Sequence, residues 1–203
     1  MSFITTYCRL TNTTCSVNGE VVGKIDQVSE DSWFKQLYKQ QGLAYPKFYK
    51  MDLLSQAGFL ALEAMKKYNP ALSSGYGDDE IGLVFANSSS SADTDSRFLA
   101  SYREGGTPSP SLFVYTLPNI VLGELAIANK WYGESMFAIL PAFEPAFFYT
   151  HTQLLMPASC EAVLCGWVEI LEGNVDVLLF FVENKSDALF EYNQENVARL
   201  YAS

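Results

Sequence analysis

Four cysteines and one histidine are the side chains whose chemistry could support covalent catalysis or metal binding: Cys8, Cys15, Cys160, Cys165 and His151. A thiolate beside an imidazole base can attack an acyl group, whereas a zinc site needs closely spaced cysteine or histidine pairs, which this sequence lacks. We therefore expect no metal site and four reduced, structural thiols. Cys160 and His151 form the one pair to test for nucleophilic catalysis.

The composition is that of a globular domain. The 203 residues are enough for one domain with a substantial core, and the apolar share of 49% excludes the disordered and fibrous classes. The net charge of −10 argues against nucleic-acid binding, because phosphate backbones repel an acidic chain. Residues 131–184 contain seven acidic residues and no lysine or arginine, so this region should be buried or face a partner.

The sequence shows no targeting or membrane signal. The first residues lack the basic and apolar segments of a secretory signal peptide, and no apolar run reaches the roughly 18 residues that span a membrane. We expect a cytoplasmic protein without a membrane span. No motif in the sequence indicates a cofactor.

Strand and helix patterns alternate along the chain, which favours an α/β domain. Asn18 and Gly19 predict a hairpin after a first strand, and Asp52 is a good N-cap for a helix. The serines at 88–91 are predicted to form a turn, since they lack the glycines and lysine of a phosphate-binding loop. Apolar runs predict further strands over 81–86, 135–140 and 175–182. Helices are predicted over 53–68, 92–102, 117–128, 158–171 and 194–201.

Three segments resemble the N-terminal half of the β-ketoacyl-acyl-carrier-protein synthases. They are Ile-Gly-Leu-Val-Phe-Ala at 81–86, Ser-Pro-Ser-Leu-Phe-Val-Tyr-Thr-Leu-Pro-Asn-Ile-Val-Leu-Gly-Glu-Leu-Ala-Ile at 109–127 and Glu-Ile-Leu-Glu-Gly-Asn-Val-Asp-Val-Leu-Leu-Phe at 169–180. The resemblance covers roughly residues 48–184. It implies a thiolase-like half, in which a mostly parallel five-stranded sheet is layered with helices on both faces. Residues 1–203 are then one synthase-like N-terminal domain.

The same resemblance implies that the family's nucleophilic cysteine is missing here. In the family this cysteine begins the helix after the strand predicted at 135–140, where the helix dipole stabilises a thiolate. Counting forward along the family pattern places Ala142 there, whereas counting back along the helix predicted at 158–171 places Met156 there. The two positions differ by 14 residues, so we predict an insertion at 141–156. Neither side chain can attack a thioester. The two histidines of the family's C-terminal half are expected to be absent as well.

These features predict a non-catalytic subunit similar to a chain-length factor, acting in fatty-acid, polyketide or aryl-polyene type biosynthesis. It should pair with a full-length β-ketoacyl synthase as a heterodimer, or with a second copy, and shape the acyl tunnel of the synthase. The residues expected at the interface are Ser135, Phe137, Ile139, Phe143, Phe147 and Phe148. An acidic chain should contact an acidic acyl carrier protein only indirectly. The alternative is a stand-alone acyltransferase or condensing-type enzyme that uses Cys160 with His151 as base.

Overall fold

One sheet runs through the part of the chain that the computed structural model describes, which comprises residues 1–24, 31–72, 74–103, 106–185 and 189–203. The sheet has eight strands in the order β3-β2-β1-β7-β6-β4-β5, with β8 beside β1. The strands are β1 (Phe3–Thr11), β2 (Thr14–Val17), β3 (Glu20–Lys24), β4 (Ile81–Asn87), β5 (Ser135–Ile139), β6 (Ala162–Leu171), β7 (Asn174–Glu183) and β8 (Phe190–Glu191).

Five of these strands, β1, β7, β6, β4 and β5, form the core of the sheet. β6, β4 and β5 pair in parallel, and β7 pairs antiparallel with both β6 and β1, so β1 points in the same direction as β4, β5 and β6. The expected α/β fold with a mostly parallel five-stranded sheet is confirmed for this core. The whole sheet is larger than expected, because the hairpin β2–β3 and the short β8 extend it in antiparallel fashion beside β1. Asn18 and Gly19, both with positive φ, form the predicted turn of that hairpin.

Helices cover both faces of the sheet, as predicted. They are α1 (Trp33–Gln41), α2 (Leu53–Tyr68), α3 (Ala92–Arg103), α4 (Pro110–Val114), α5 (Ile120–Asn129), α6 (Pro145–Ala158) and α7 (Gln194–Ala202), and a 3-10 helix spans Pro46–Lys50. α1, α2 and α5 pack on one face, and α6 and α7 pack on the other. The predicted N-cap of α2 is confirmed, because the Asp52 carboxylate accepts a hydrogen bond from the Ser55 N–H at 3.0 Å.

The predicted helix at 158–171 is wrong, because β6 occupies Ala162–Leu171. β6 lies between β4 and β7 in the middle of the sheet, and nearly all of its side chains are buried. A strand that is buried on both faces shows no alternation of apolar and polar residues, so its pattern is indistinguishable from that of a buried helix. Gly173 lies in the β6–β7 turn with φ +79°.

This correction also changes the meaning of residues 141–156. The sequence predicts an insertion there only through the backward count from a helix at 158–171. With a strand there, that count has no starting point, and α6 is the helix that connects β5 to β6. Ala142, the residue reached by the forward count, lies just before this helix.

A buried carboxylate fastens the end of β7 to the first strand. Glu183 accepts hydrogen bonds from the Thr5 hydroxyl at 2.6 Å and from the Tyr76 hydroxyl, and it forms an ion pair with Lys185 at 2.9 Å. Burial alone would raise the pKa of the Glu183 carboxyl, but the hydrogen bonds from Thr5, Tyr76 and Lys185 outweigh it and hold the pKa below its ordinary value of 4.5.

We expect the Glu183→Gln variant to be about 1–3 kcal/mol less stable than the wild-type chain at neutral pH, because charge-assisted hydrogen bonds are lost. A carboxyl whose pKa falls on folding stabilises the fold fully above its unfolded pKa, near 4.5, and this contribution disappears as the pH falls through the lower folded pKa. Urea unfolding of both chains over a pH series measures this difference. A difference in stability that stays constant from neutral to strongly acidic pH would contradict the assignment.

Candidate functional site at the carboxyl edge of the sheet

The outer edge of β5 is open. β5 pairs with β4 along its inner side, and it is the last strand in the sheet order, so no strand of the described residues lies on its outer side. Its sequence, Ser-Met-Phe-Ala-Ile, contains no charged residue and no proline. Soluble proteins generally protect free edges with charged residues, proline or a bulge, because unpaired N–H and C=O groups pair readily with another strand. β5 carries none of the charged or proline residues that give such protection.

The opposite edge of the sheet, β3, is protected. β3 has the sequence Glu-Val-Val-Gly-Lys, so a charged residue stands at each end, and its pairing with β2 is interrupted by a bulge. Both edges expose aliphatic side chains to a similar degree: Ile139 in β5 is 50% exposed and Val22 in β3 is 41% exposed. The two edges therefore differ mainly in charge, and β5 is the edge suited to pairing with a strand of another subunit.

A groove of about 600 Å³ lies beside the open edge. The segment 118–123, at the start of α5, forms one wall, and the outer residues of β5 form the other. Gly123 faces open space, since no heavy atom lies within 4 Å of where its Cβ would be. Such a groove can take the side chains that alternate along an incoming strand.

The structure separates the residues predicted at the interface into two groups. Ser135 and Ile139 are exposed on β5, and Phe137 is half-buried against the core that α2 and α5 cover. Phe143, Phe147 and Phe148 instead pack in the core on the other face, under α6 and α7. Phe148 has no exposed surface, so the expectation that it contacts a partner is corrected.

The segment that follows β5 contains Ala142 and Met156, the two residues predicted at the position of the family nucleophile. Glu144 is the N-cap of α6 and accepts a hydrogen bond from the Ala146 N–H at 3.3 Å. Ala142 is exposed two residues before this cap, and Met156 lies in the last turn of α6, about 18 Å from the cap at 1.5 Å per residue. Met156 is therefore far from the N-terminal end of α6, where the resemblance places the nucleophile, and residues 140–146 around that end contain no cysteine.

An aromatic cluster closes the sheet surface beside this segment. The Phe143 ring stacks on the Tyr201 ring of α7, with centroids 4.0 Å apart and an interplanar angle of 13°. Trp167 of β6 meets the Phe143 ring edge-on at 5.8 Å. The Tyr201 hydroxyl donates a hydrogen bond to Asp176 at 2.6 Å, and the Arg9 guanidinium lies 4.9 Å from the centre of the Tyr201 ring. The chain thus fills this region with its own aromatic rings.

The thiols are placed for packing. Cys160 is 3% exposed and follows the C-terminal end of α6, where carbonyl groups offer no stabilisation to a thiolate. His151 lies in the middle of α6 and has its Nδ1 atom 2.8 Å from the Phe147 carbonyl oxygen. Burial raises the pKa of the Cys165 thiol to about 12, and the hydrogen bond with Cys15 together with burial raises the pKa of the Cys8 thiol well above its ordinary value. Nothing in this geometry favours catalysis by Cys160.

We expect all four thiols to resist alkylation in the folded chain. Because all four are buried, modification by iodoacetamide at neutral pH should be at least about 100-fold slower than in the unfolded chain. Mass spectrometry of timed samples, with and without denaturant, measures these rates residue by residue. Fast and selective alkylation of Cys160 in the folded chain, absent in the Cys160→Ser variant, would revive the catalytic alternative.

A buried glutamate holds the loop that follows β4. Glu169 of β6 is 8% exposed and accepts hydrogen bonds from the Ser88 N–H at 2.6 Å, the Ser88 hydroxyl at 2.7 Å, the Ser89 N–H at 3.2 Å and the Ser89 hydroxyl. The serine run is a turn between strand and helix, as predicted, and its donors converge on a carboxylate of the same chain. This fixes the loop at the carboxyl ends of β4 and β6.

Sequence reasoning missed the roles of Glu169 and Tyr201. Glu169 lies 80 residues from Ser89, and Tyr201 lies 58 residues from Phe143, so no local pattern connects either pair. One signal was available for Glu169: a single acid within the apolar run 162–171 must be paired when it is buried.

The described residues, which leave gaps at 25–30, 73, 104–105 and 186–188, contain no group of three or more histidine, cysteine, aspartate or glutamate side chains that could hold a metal ion. No helix in those same ranges is both long and apolar enough to span a membrane.

Solved structures with the same fold include ketosynthases and chain length factors. A ketosynthase in complex with its chain length factor from Xenorhabdus doucetiae matches at 13% identity and a TM-score of 0.57, over 88% of this chain and 78% of that chain. The ishigamide ketosynthase/chain length factor matches at 14% identity and a TM-score of 0.66, over 93% of this chain and 63% of that chain. A type II polyketide synthase acyl-carrier protein in complex with its ketosynthase matches at 12% identity and a TM-score of 0.62, over 98% of this chain and 64% of that chain.

These similarities establish the fold. The chain has the thiolase-like fold of the ketosynthase structures, as the sequence resemblance implied. It spans less than two thirds of the matched chain in the ishigamide ketosynthase/chain length factor and in the type II polyketide synthase complex. No protein-family model matches the sequence, and no curated protein matches it.

Proposed function

We propose that this chain is a non-catalytic β-ketoacyl synthase-like subunit that pairs through β5 with an active ketosynthase and shapes its acyl tunnel. The setting is fatty-acid, polyketide or aryl-polyene type biosynthesis. The observation that carries this proposal is the open, uncharged edge of β5 beside an empty groove. A strand of the partner adds to β5, and its side chains fill the groove.

The start of α6 supports a subunit without its own nucleophile. Condensation through a covalent acyl intermediate needs an activated thiol at a helix N-terminus. Here Ala142 and the cap Glu144 occupy that segment, and Phe143 between them stacks on Tyr201. The solved structures that share the fold include ketosynthases in complex with their chain length factors, which is consistent with a paired role.

The contribution to the tunnel comes from the groove side of β5. The rings of Phe143, Phe147 and Phe148 pack in or against this chain's own core, so we do not assign them to the tunnel. Exposed apolar side chains lie instead at the groove, which Ile139 lines, and in the segment that leads to it, where Phe113 of α4 and Leu117 are exposed. These side chains would line the end of a cavity that the two subunits share.

Charge favours a ketosynthase as the partner that receives the acyl carrier protein. The net charge of −10 opposes direct docking of an acidic carrier protein, so in the assembly the carrier contacts the ketosynthase. The edge of β5 and the residues that line the groove carry no charge, so charge does not distinguish a ketosynthase from a second copy at this surface, and the homodimer is the alternative outcome of the test.

Co-expression with a full-length ketosynthase from the same organism tests the proposal. We expect a 1:1 complex by light scattering, and condensation products that form only when both chains are present. Replacing the ketosynthase nucleophile should abolish these products, whereas Cys160→Ser in this chain should leave them unchanged. A chain that stays monomeric or only self-associates in the presence of the ketosynthase, or products that require Cys160, would overturn the proposal.

A further inference from the structure

The aromatic cluster around Tyr201 has the composition of a binding site for a phenol, which is occupied here by the chain's own side chain. The Tyr201 ring stacks on Phe143 at 4.0 Å, and Trp167 lies edge-on to it at 6.5 Å. The Arg9 guanidinium lies over the ring at 4.9 Å, and Asp176 accepts the hydroxyl hydrogen bond at 2.6 Å. Stacking, edge-on and cation contacts together recognise a flat ring, and the carboxylate recognises its hydroxyl.

Tyr201 leaves two donors of this cluster unsatisfied. The indole Nε1–H of Trp167 and the guanidinium Nε–H of Arg9 are both buried, and neither has a hydrogen-bond partner among the described residues. Trp167 itself is 2% exposed. A buried donor without an acceptor costs free energy, and native proteins keep few of them. Two such donors beside one aromatic ring indicate that the site fits a ligand with an additional acceptor oxygen.

Tyr201 can leave the site without detaching α7. The helix is anchored to the sheet by Val197 and Leu200, which are buried in the core that α6 also covers. The Tyr201 side chain is only partly buried and lies on the last turn of α7. A rotation of this one side chain would expose the face of Phe143 while the packing of Val197 and Leu200 stays intact.

We propose that Arg9, Phe143, Trp167 and Asp176 form a binding site for a neutral hydroxyaryl carbonyl compound, which enters by displacing Tyr201. The ring of the ligand stacks on Phe143 and its hydroxyl donates to Asp176. Its carbonyl oxygen accepts a hydrogen bond from Trp167 Nε1. Asp176 is paired with Arg9, so the cluster carries no net charge and suits a neutral ligand.

Calorimetric titration of the full chain with 4-hydroxyacetophenone tests this site, together with the NMR signal of the Trp167 indole N–H. We expect saturable 1:1 binding to the wild-type chain and a shift of that indole signal, assigned with Trp167→Phe. The Tyr201→Ala variant lacks the internal competitor and should bind about 10-fold more tightly. Adding Trp167→Phe to it should weaken binding about 10-fold, because a hydrogen-bond donor is lost.

Two control ligands and one further variant separate a built site from a mere cavity. Acetophenone, which lacks the hydroxyl, should bind more weakly than 4-hydroxyacetophenone, and toluene more weakly still. Tyr201→Phe keeps the stacked ring and therefore serves as the second variant if Tyr201→Ala does not fold. It should bind the probe more tightly than the wild type, because the hydrogen bond from the Tyr201 hydroxyl to Asp176 is lost. Binding to the variants without any binding to the wild-type chain, or toluene binding as tightly as the probe, would overturn the proposal.

Discussion

The Ile139→Lys variant is expected to lose the ketosynthase partner while keeping its fold. Ile139 is half exposed on the outer edge of β5, so a lysine is tolerated in the isolated chain. In the complex, the same position lies beside the added strand, and an unpaired ammonium group must be desolvated. We expect affinity to fall at least about 100-fold, which corresponds to about 3 kcal/mol. Surface plasmon resonance against the immobilised ketosynthase measures this change.

Val22→Lys is the matched control for this experiment. Val22 is exposed to a similar extent on β3, the other edge strand of the same sheet. The substitution adds the same charge at the edge that already carries Glu20 and Lys24. We expect unchanged affinity and an unfolding transition within about 0.5 kcal/mol of the wild type, as for surface substitutions in general. If both variants bind the ketosynthase equally well, β5 is not the pairing edge.

Glu169→Ala is expected to be the most destabilising single substitution at the carboxyl ends of the parallel strands. The alanine would leave the N–H groups of Ser88 and Ser89 without their acceptor in a place where the glutamate is 8% exposed. Removing a buried charged acceptor leaves its donors without hydrogen bonds, so we expect the free energy of unfolding to fall by about 3 kcal/mol. Glu169→Gln keeps one acceptor oxygen and should lose less. Urea unfolding measures both changes, and hydrogen exchange should show faster opening of the loop at 88–91.

Glu161→Ala is the control for a change of charge without a change of packing. Glu161 is exposed and immediately precedes β6, the strand that carries Glu169. Its removal should change the free energy of unfolding by less than about 0.5 kcal/mol. Equal effects of the two alanine substitutions would show that the serine loop does not depend on Glu169.

The fold could be predicted from the sequence wherever local signals agreed with the burial pattern. Asp52 was identified as a helix N-cap because its carboxylate satisfies a neighbouring N–H, and Asn18-Gly19 was identified as a turn because both residues tolerate positive φ. The prediction failed at β6, where burial on both faces removes the alternation that distinguishes a strand. The backward count to Met156, on which the predicted insertion at 141–156 depends, started from the helix predicted at 158–171.

The sequence by itself determined the class of fold, the charge balance and the absence of a thiol near Ala142, because these depend on which residues are present and in what order. Only the tertiary structure decided which side chains meet. It placed Phe148 in the core, left the edge of β5 open, and brought Tyr201 onto Phe143 and Glu169 onto the serine loop. Contacts between residues far apart in the chain depend on strand order and on how helices pack over the sheet. The site arises from these long-range contacts, which no local pattern encodes.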